Sequence, residues 1–122
     1  MDIYTAQYKY SGYDRIDITV KGNTPPGSVL APTWGMVKGI QSGMMPEWDY
    51  TIKYFSLLMS RMTSLSGDLA HGERVMFDDI VTDRSQITLV CFCPASTFCH
   101  RVLAAQMIQN MGYGKYIGEL KL

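Results

Sequence analysis

A chain of 122 residues, 47% apolar and 18% charged, has the size and make-up of one soluble globular domain spanning residues 1–122. Its 11 Lys and Arg balance 11 Asp and Glu, which argues against an extensive nucleic-acid surface or electrostatic attachment to an anionic membrane. No apolar run is long enough to span a bilayer, no signal-peptide pattern opens the sequence, and 3 cysteines do not make a secreted disulfide framework, so a cytoplasmic setting is expected.

In chain order, Asp2 to Tyr10 alternates loosely and is rich in tyrosine and isoleucine, which predicts a first strand broken by Ser11-Gly12. Arg15 to Lys21 alternates strictly, with Ile16, Ile18 and Val20 on one side and Asp17, Thr19 and Lys21 on the other. That is the pattern of a strand with one buried face. Residues Gly22 to Gly27 form a loop, and Ser28 to Pro32 reads as briefly extended. Thr33 can cap a short helix from Trp34 to about Ser42, weakened by Gly35 and Gly39 and ended by Gly43. Pro46, Glu47 and Asp49 open a firmer helix whose apolar stripe is expected to be Trp48, Ile52, Phe55, Met59 and Met62. Arg61 and Gly67 close it. His71-Gly72 reads as a turn before a short helix from Glu73 to Val81, with Asp78 and Asp79 facing solvent or an active site, the solvated face being the leading expectation. The 9 methionines read as adaptable core filler.

Ile87 to Phe92 is continuously apolar, as expected for a central strand covered on both faces in a mostly parallel sheet. After Pro94, Ser96 or Thr97 can cap a helix that runs to about Met111 and is apolar around most of its circumference. Gly112 and Gly114 mark its end, and Lys115 to Leu120 suits a short last strand. The order predicts an α/β fold: a single compact domain with a small, mostly parallel sheet flanked by helices. Ligands of such sheets sit beyond the carboxyl ends of the strands, which places the candidate site in the loop from Pro94 to Arg101.

A helix start exposes unpaired N–H groups and favours anions. His100 and Arg101 in that turn make electrostatic sense if a phosphate or carboxylate shares the pocket with them. The alternative is that Arg101 pairs with an internal carboxylate such as Asp17, Asp78 or Glu119. The ligand-binding candidates are therefore Arg101, His100, Cys99, Thr97 and Ser96. Thr19 and Lys21 would face them from the opposite wall, and Tyr8, with Tyr10, would supply a stacking surface. His100, Cys93 and Cys99 are the candidates for catalysis, since a thiol at a helix start beside His and Arg would gain thiolate character. The spacing from Cys93 to Arg101 is too long for the loop of cysteine phosphatases. Cys91, Cys93, Cys99 and His100 have ligand types that suit zinc, but a Cys-x-Cys on a strand lacks the spacing of a knuckle. No metal and no cofactor is expected, and the leading expectation is that the three cysteines are buried small hydrophobes.

The strand followed by Thr97-Phe98-Cys99-His100-Arg101 resembles the Cys-His-Arg motif of the domain-of-unknown-function family four-eight-eight of bacteria and phages. Ile16-Asp17-Ile18-Thr19, Leu30-Ala31-Pro32-Thr33-Trp34, Trp48-Asp49-Tyr50-Thr51, Gly112-Tyr113 and Gly118-Glu119 are similar as well. The resemblance implies an α/β fold with a pocket near Cys99, His100 and Arg101, and no established activity. Many members carry a glutamate where this chain has Cys93, a departure that leaves the loop Phe92-Cys93-Pro94-Ala95 without that acid.

The expectation is a small pocket protein recognising a phosphorylated or nucleotide-like anionic ligand, with turnover left open. The alternative is a non-catalytic phage or prophage accessory protein that sequesters a signalling nucleotide or binds a host protein. A homo-oligomer is compatible with either, and a thiol-dependent enzyme is a third reading.

Overall fold

The structure is a computed structural model, described for residues 1–63, 67–93 and 98–122. Strands β1 (Asp2–Gln7), β2 (Arg15–Asp17), β3 (Gln86–Cys91) and β4 (Lys115–Glu119) form one sheet in the order β2-β3-β1-β4, with every neighbouring pair parallel. Helices α1 (Trp34–Ser42), α2 (Glu47–Thr63), α3 (Gly67–Val81) and α4 (His100–Asn110) accompany it; α4 packs directly on β1, β3 and β4, and α2 packs against α1, α3 and α4, in an α/β architecture.

The continuous apolar run lies in the sheet interior as expected up to Cys91, while Phe92, its last residue, falls beyond β3 and is 53% exposed. Ile87, Leu89, Val90 and Cys91 are completely buried on β3, and Ile87 and Leu89 face Ile3 and Thr5 of β1 in register. β1 ends at Gln7 rather than Tyr10, because Tyr10 N–H turns back to the Gln7 carbonyl at 3.0 Å. The loop of residues 8–14 then crosses to the far side of β3, where Arg15 starts β2 opposite Thr88.

β2 is shorter than the expected Arg15 to Lys21, and its two faces do not separate into apolar and polar. Ile18 N–H still reaches the Val90 carbonyl at 3.2 Å, but the Asp17 carboxylate accepts from both the backbone N–H and the hydroxyl of Thr19, at 2.9 and 2.7 Å. That local capture competes with the ladder and turns the chain out of the sheet. Asp17 and Thr19 are buried together as a result.

The segment expected to be extended, Ser28 to Pro32, begins with a 3-10 turn at Gly27–Leu30. α1 has the expected ends: Thr33 accepts from Met36 N–H at 3.2 Å, and Gly43 takes the left-handed conformation at φ 78°. α2 buries a different face from the one expected. Tyr50, Tyr54, Leu58 and Met62 point inward, Phe55 is half-buried, and Trp48, Ile52 and Met59 are exposed at 67%, 57% and 47%. The 3-10 turn explains the rotation. Its carbonyls need donors, and Tyr54 donates to Leu30 O at 2.6 Å while Arg61 donates to Val29 O and Ala31 O at 2.8 and 2.6 Å.

α3 runs straight through His71-Gly72, where a turn was expected. A glycine inside a helix costs only about 1 kcal/mol, and packing of α3 against α2 and the 3-10 turn outweighs it. Asp78 and Asp79 pair with Arg74 and Arg84 in exposed ion pairs, as a solvated face would. α4 begins later than expected, with Cys99 as its N-cap, and buries His100, Arg101, Leu103, Ala104, Ala105, Met107 and Ile108. Ser96 and Thr97, the expected caps, lie outside the described residues.

Candidate functional site

Beyond the carboxyl ends of β2 and β3 lies a cavity of about 640 Å³. One wall is the turn after β2, with Thr19 and Lys21. Another is Phe92 and Cys93 after β3, continuing into Phe98, Cys99 and His100 at the start of α4. The remainder is mostly apolar and comes from Val20 and Pro32, from α1 (Trp34, Val37, Ile40 and the polar Gln41) and from Tyr50 of α2. The sequence located the strand ends but did not point to the helical wall. The signal was the tryptophan immediately after the Thr33 cap, half exposed at the head of a helix.

Aromatic rings organise the walls. Tyr50 meets Phe98 edge-on with centroids 5.5 Å apart, and Tyr8 stacks on Phe92 at 4.0 Å. Tyr8 thus braces the cavity from behind Phe92 and does not line it. Its hydroxyl donates to Asp17 Oδ2 at 2.9 Å, and the Arg15 guanidinium lies 4.5 Å from its ring centroid. Lys21 Nζ sits 5.8 Å from the Phe92 centroid, exposed at the rim. Tyr10 is directed elsewhere, donating its hydroxyl to Asp14.

The remaining polar candidates are tied into the protein. Thr19 gives its hydroxyl proton to Asp17 and accepts from Gly22 N–H at 2.9 Å. His100 is buried, with Nε2 2.8 Å from the Ile18 carbonyl, so Nε2 carries the proton and Nδ1, 3.7 Å from Cys99 Sγ, is the acceptor. Burial lowers its pKa to about 4, against the opposing pull of the Ile18 hydrogen bond, and the Arg101 charge adds to the lowering. At neutral pH His100 is an uncharged imidazole. Burial also keeps the phenol of Tyr50 protonated and raises the Cys93 thiol, which Arg101 only partly counteracts.

Arg101 does not enter the cavity. It is 1% exposed, and its Nε and Nη2 donate to the two oxygens of Glu119 at 3.0 and 2.7 Å. Nη1 donates to Cys91 Sγ at 3.0 Å and to the Cys93 carbonyl at 2.9 Å. The internal-carboxylate alternative is therefore the one observed, with Glu119 as partner. The structure brings Thr19, Lys21, Cys93, Cys99 and His100 to one cavity and leaves Arg101 behind its wall, while Ser96 and Thr97 lie outside the described residues. Among the described lining residues there is no carboxylate, and Lys21 is the one cation.

No protein-family model, curated protein or solved structure matches the chain.

Proposed function

We propose that the cavity binds a small ligand that joins a flat, largely apolar ring to an anionic group, as nucleotides and aromatic phosphorylated metabolites do. The observation that carries this reading is the pairing of Trp34, Tyr50, Phe92 and Phe98 with a rim cation, Lys21, in a cavity whose described lining holds no carboxylate. Rings supply sequence-tolerant stacking. Lys21 and the positive end of α4 supply the electrostatic preference. The proposal keeps the likeness to family four-eight-eight, resting on Cys99-His100-Arg101 and the short stretches that accompany it. It also keeps a reducing, cytoplasmic setting; no helix among the described residues is long and apolar enough to cross a membrane.

Binding without turnover is the favoured form of the proposal. The groups best suited to proton transfer, His100 Nε2 and the Thr19 hydroxyl, are occupied by Ile18 and Asp17. Thermal-shift and calorimetric titration with nucleotides, dinucleotides and sugar phosphates tests both points. Nucleotides are expected to stabilise the chain, and ring-less sugar phosphates to do so much less. Lys21→Ala should weaken nucleotide binding by roughly tenfold, about 1.4 kcal/mol. Bound ligand should be recovered chemically intact after denaturation. If no anionic ring compound raises the melting temperature, the reading fails.

A further inference from the structure

Three sulfur atoms meet beside this cavity. Cys91 ends β3, Cys93 follows in the loop, Cys99 caps α4, and their Sγ atoms all lie within 4.8 Å of one another. We propose that they form a zinc-class metal site in the cavity wall, with three thiolates holding the ion and a fourth position open towards the cavity. Zinc takes S ligands at about 2.3 Å in tetrahedral geometry, and sulfurs all within 4.8 Å of one another are within reach of a single ion. β3 ends at Cys91, the loop after it returns the Cys93 sulfur to the side of Cys91, and Cys99 comes back over both from the head of α4.

Several features favour an ion over other uses of these thiols. The structure joins the sulfurs of Cys91 and Cys99 as a disulfide and leaves Cys93 free, but the Cα atoms of Cys91 and Cys99 are 8.0 Å apart. Disulfides usually span about 4.4–6.8 Å, and a shared ion removes the need for that approach. Cys99 makes no side-chain capping bond, so the helix does not use its sulfur. Arg101, completely buried, directs Nη1 at Cys91 Sγ at 3.0 Å. A neutral thiol is a weak acceptor and a thiolate a strong one. Three thiolates and a dication carry a net negative charge, and the guanidinium lies where it offsets that charge, its other edge held by Glu119. No further Cys, His, Asp or Glu among the described residues joins this group of sulfurs, so water or a donor atom of the cavity's occupant completes the shell. A dithiol reductant, itself oxidised to a disulfide, first converts the Cys91–Cys99 disulfide to two thiols; coordination by the three thiols then releases their protons to solvent with no change of oxidation state.

This inference concerns the wall and stands apart from the proposed ligand. The reduced full-length chain is loaded with Zn²⁺ or Co²⁺ alone, gel-filtered and analysed for metal and for reactive thiols. The expected result is about one ion per chain, a thiolate-to-Co²⁺ charge-transfer absorption, and thiols that react slowly until a chelator is added. Cys93→Ser, at a half-buried loop position, should abolish the absorption and reduce retained metal to background while the far-UV circular dichroism is unchanged. A reduced wild-type chain that retains no metal would overturn the proposal, with no dependence on any variant folding. So would metal retained without the charge-transfer band, retention unaffected by Cys93→Ser, or a Cys91–Cys99 disulfide that persists under the reducing conditions of the loading.

Discussion

Two cations near the cavity illustrate how burial separates structural from recognition roles. Arg101 holds Glu119 through paired hydrogen bonds at 3.0 and 2.7 Å and is itself 1% exposed. Burial alone would raise the Glu119 carboxyl, but the bonds and charge of Arg101, with a bond from Thr5, bring it below its ordinary value. Arg101 is buried and Glu119 only partly so, its side chain 22% exposed, so Arg101→Ala, which strands Glu119, should cost about 1–3 kcal/mol in urea unfolding. Arg101→Lys should recover only part of that, because an ammonium cannot reproduce the two-pronged contact. Lys21 is exposed at the rim, so Lys21→Ala should change stability by no more than about 0.5 kcal/mol while weakening ligand binding. A small loss for Arg101→Ala, under about 1 kcal/mol, would contradict the structural role assigned to it.

At the scale of elements, α2 gives the sharpest test of which face is buried. Leu58→Ala should destabilise by about 2–5 kcal/mol. Tyr54→Phe, which orphans the Leu30 carbonyl, should cost about 1–3 kcal/mol. Trp48→Ser should be nearly silent, within about 0.5 kcal/mol. If the stripe through Trp48, Ile52 and Met59 were the core face, the order of these three results would reverse. The sequence was ambiguous here because both faces of α2 recur at helical spacing and tryptophan outranks tyrosine in hydropathy. The tie was broken by Val29, Leu30 and Ala31 carbonyls that a 3-10 turn leaves in need of donors, and nothing local announced that turn. Where the signal was local, it was legible: Thr33 and Gly43 bound α1, and the unbroken run from Ile87 to Phe92 is, except for Phe92 itself, the interior strand. The position of the site followed from the strand ends, which β2 and β3 bring side by side. Its aromatic wall did not, because Trp34 and Tyr50 reach the cavity only through how α1 and α2 dock. Arg101 was misplaced for the same reason: its partner Glu119 lies on β4, and only the parallel pairing of β4 with β1 brings it near.

The whole sheet depends on a polar contact as well as on its apolar core. Between β1 and β2 the chain must cross β3 without a helix, and Asp14 anchors that crossing. Its carboxylate is 2% exposed and accepts from Tyr10 O–H, from Gln86 Nε2 at 2.8 Å and from Thr88 Oγ1 at 2.6 Å, while its own carbonyl accepts from Thr88 N–H at 2.9 Å. Burial on its own would raise the Asp14 pKa. The bonds from Thr88, Tyr10 and Gln86 outweigh it, and the carboxyl ends below its ordinary value of 3.8. The sign of the linkage follows: in the acid range the unfolded chain takes up this proton before the folded one does, so stability rises with pH there. The contribution is fully present well above pH 3.8 and is lost as pH falls through the depressed folded value. Asp14→Asn keeps the shape but substitutes a neutral acceptor and an amide donor that faces three donors, and should cost about 1–3 kcal/mol at neutral pH. Urea unfolding of both proteins between pH 7 and pH 3, with a chelator present so that protons do not compete with a metal for the thiolates, reads the effect directly. The gap between wild type and Asp14→Asn should be constant down to about pH 5 and narrow below it. A gap that stays constant to pH 3 would mean that the Asp14 charge contributes nothing, and that its side chain holds the crossing by shape alone.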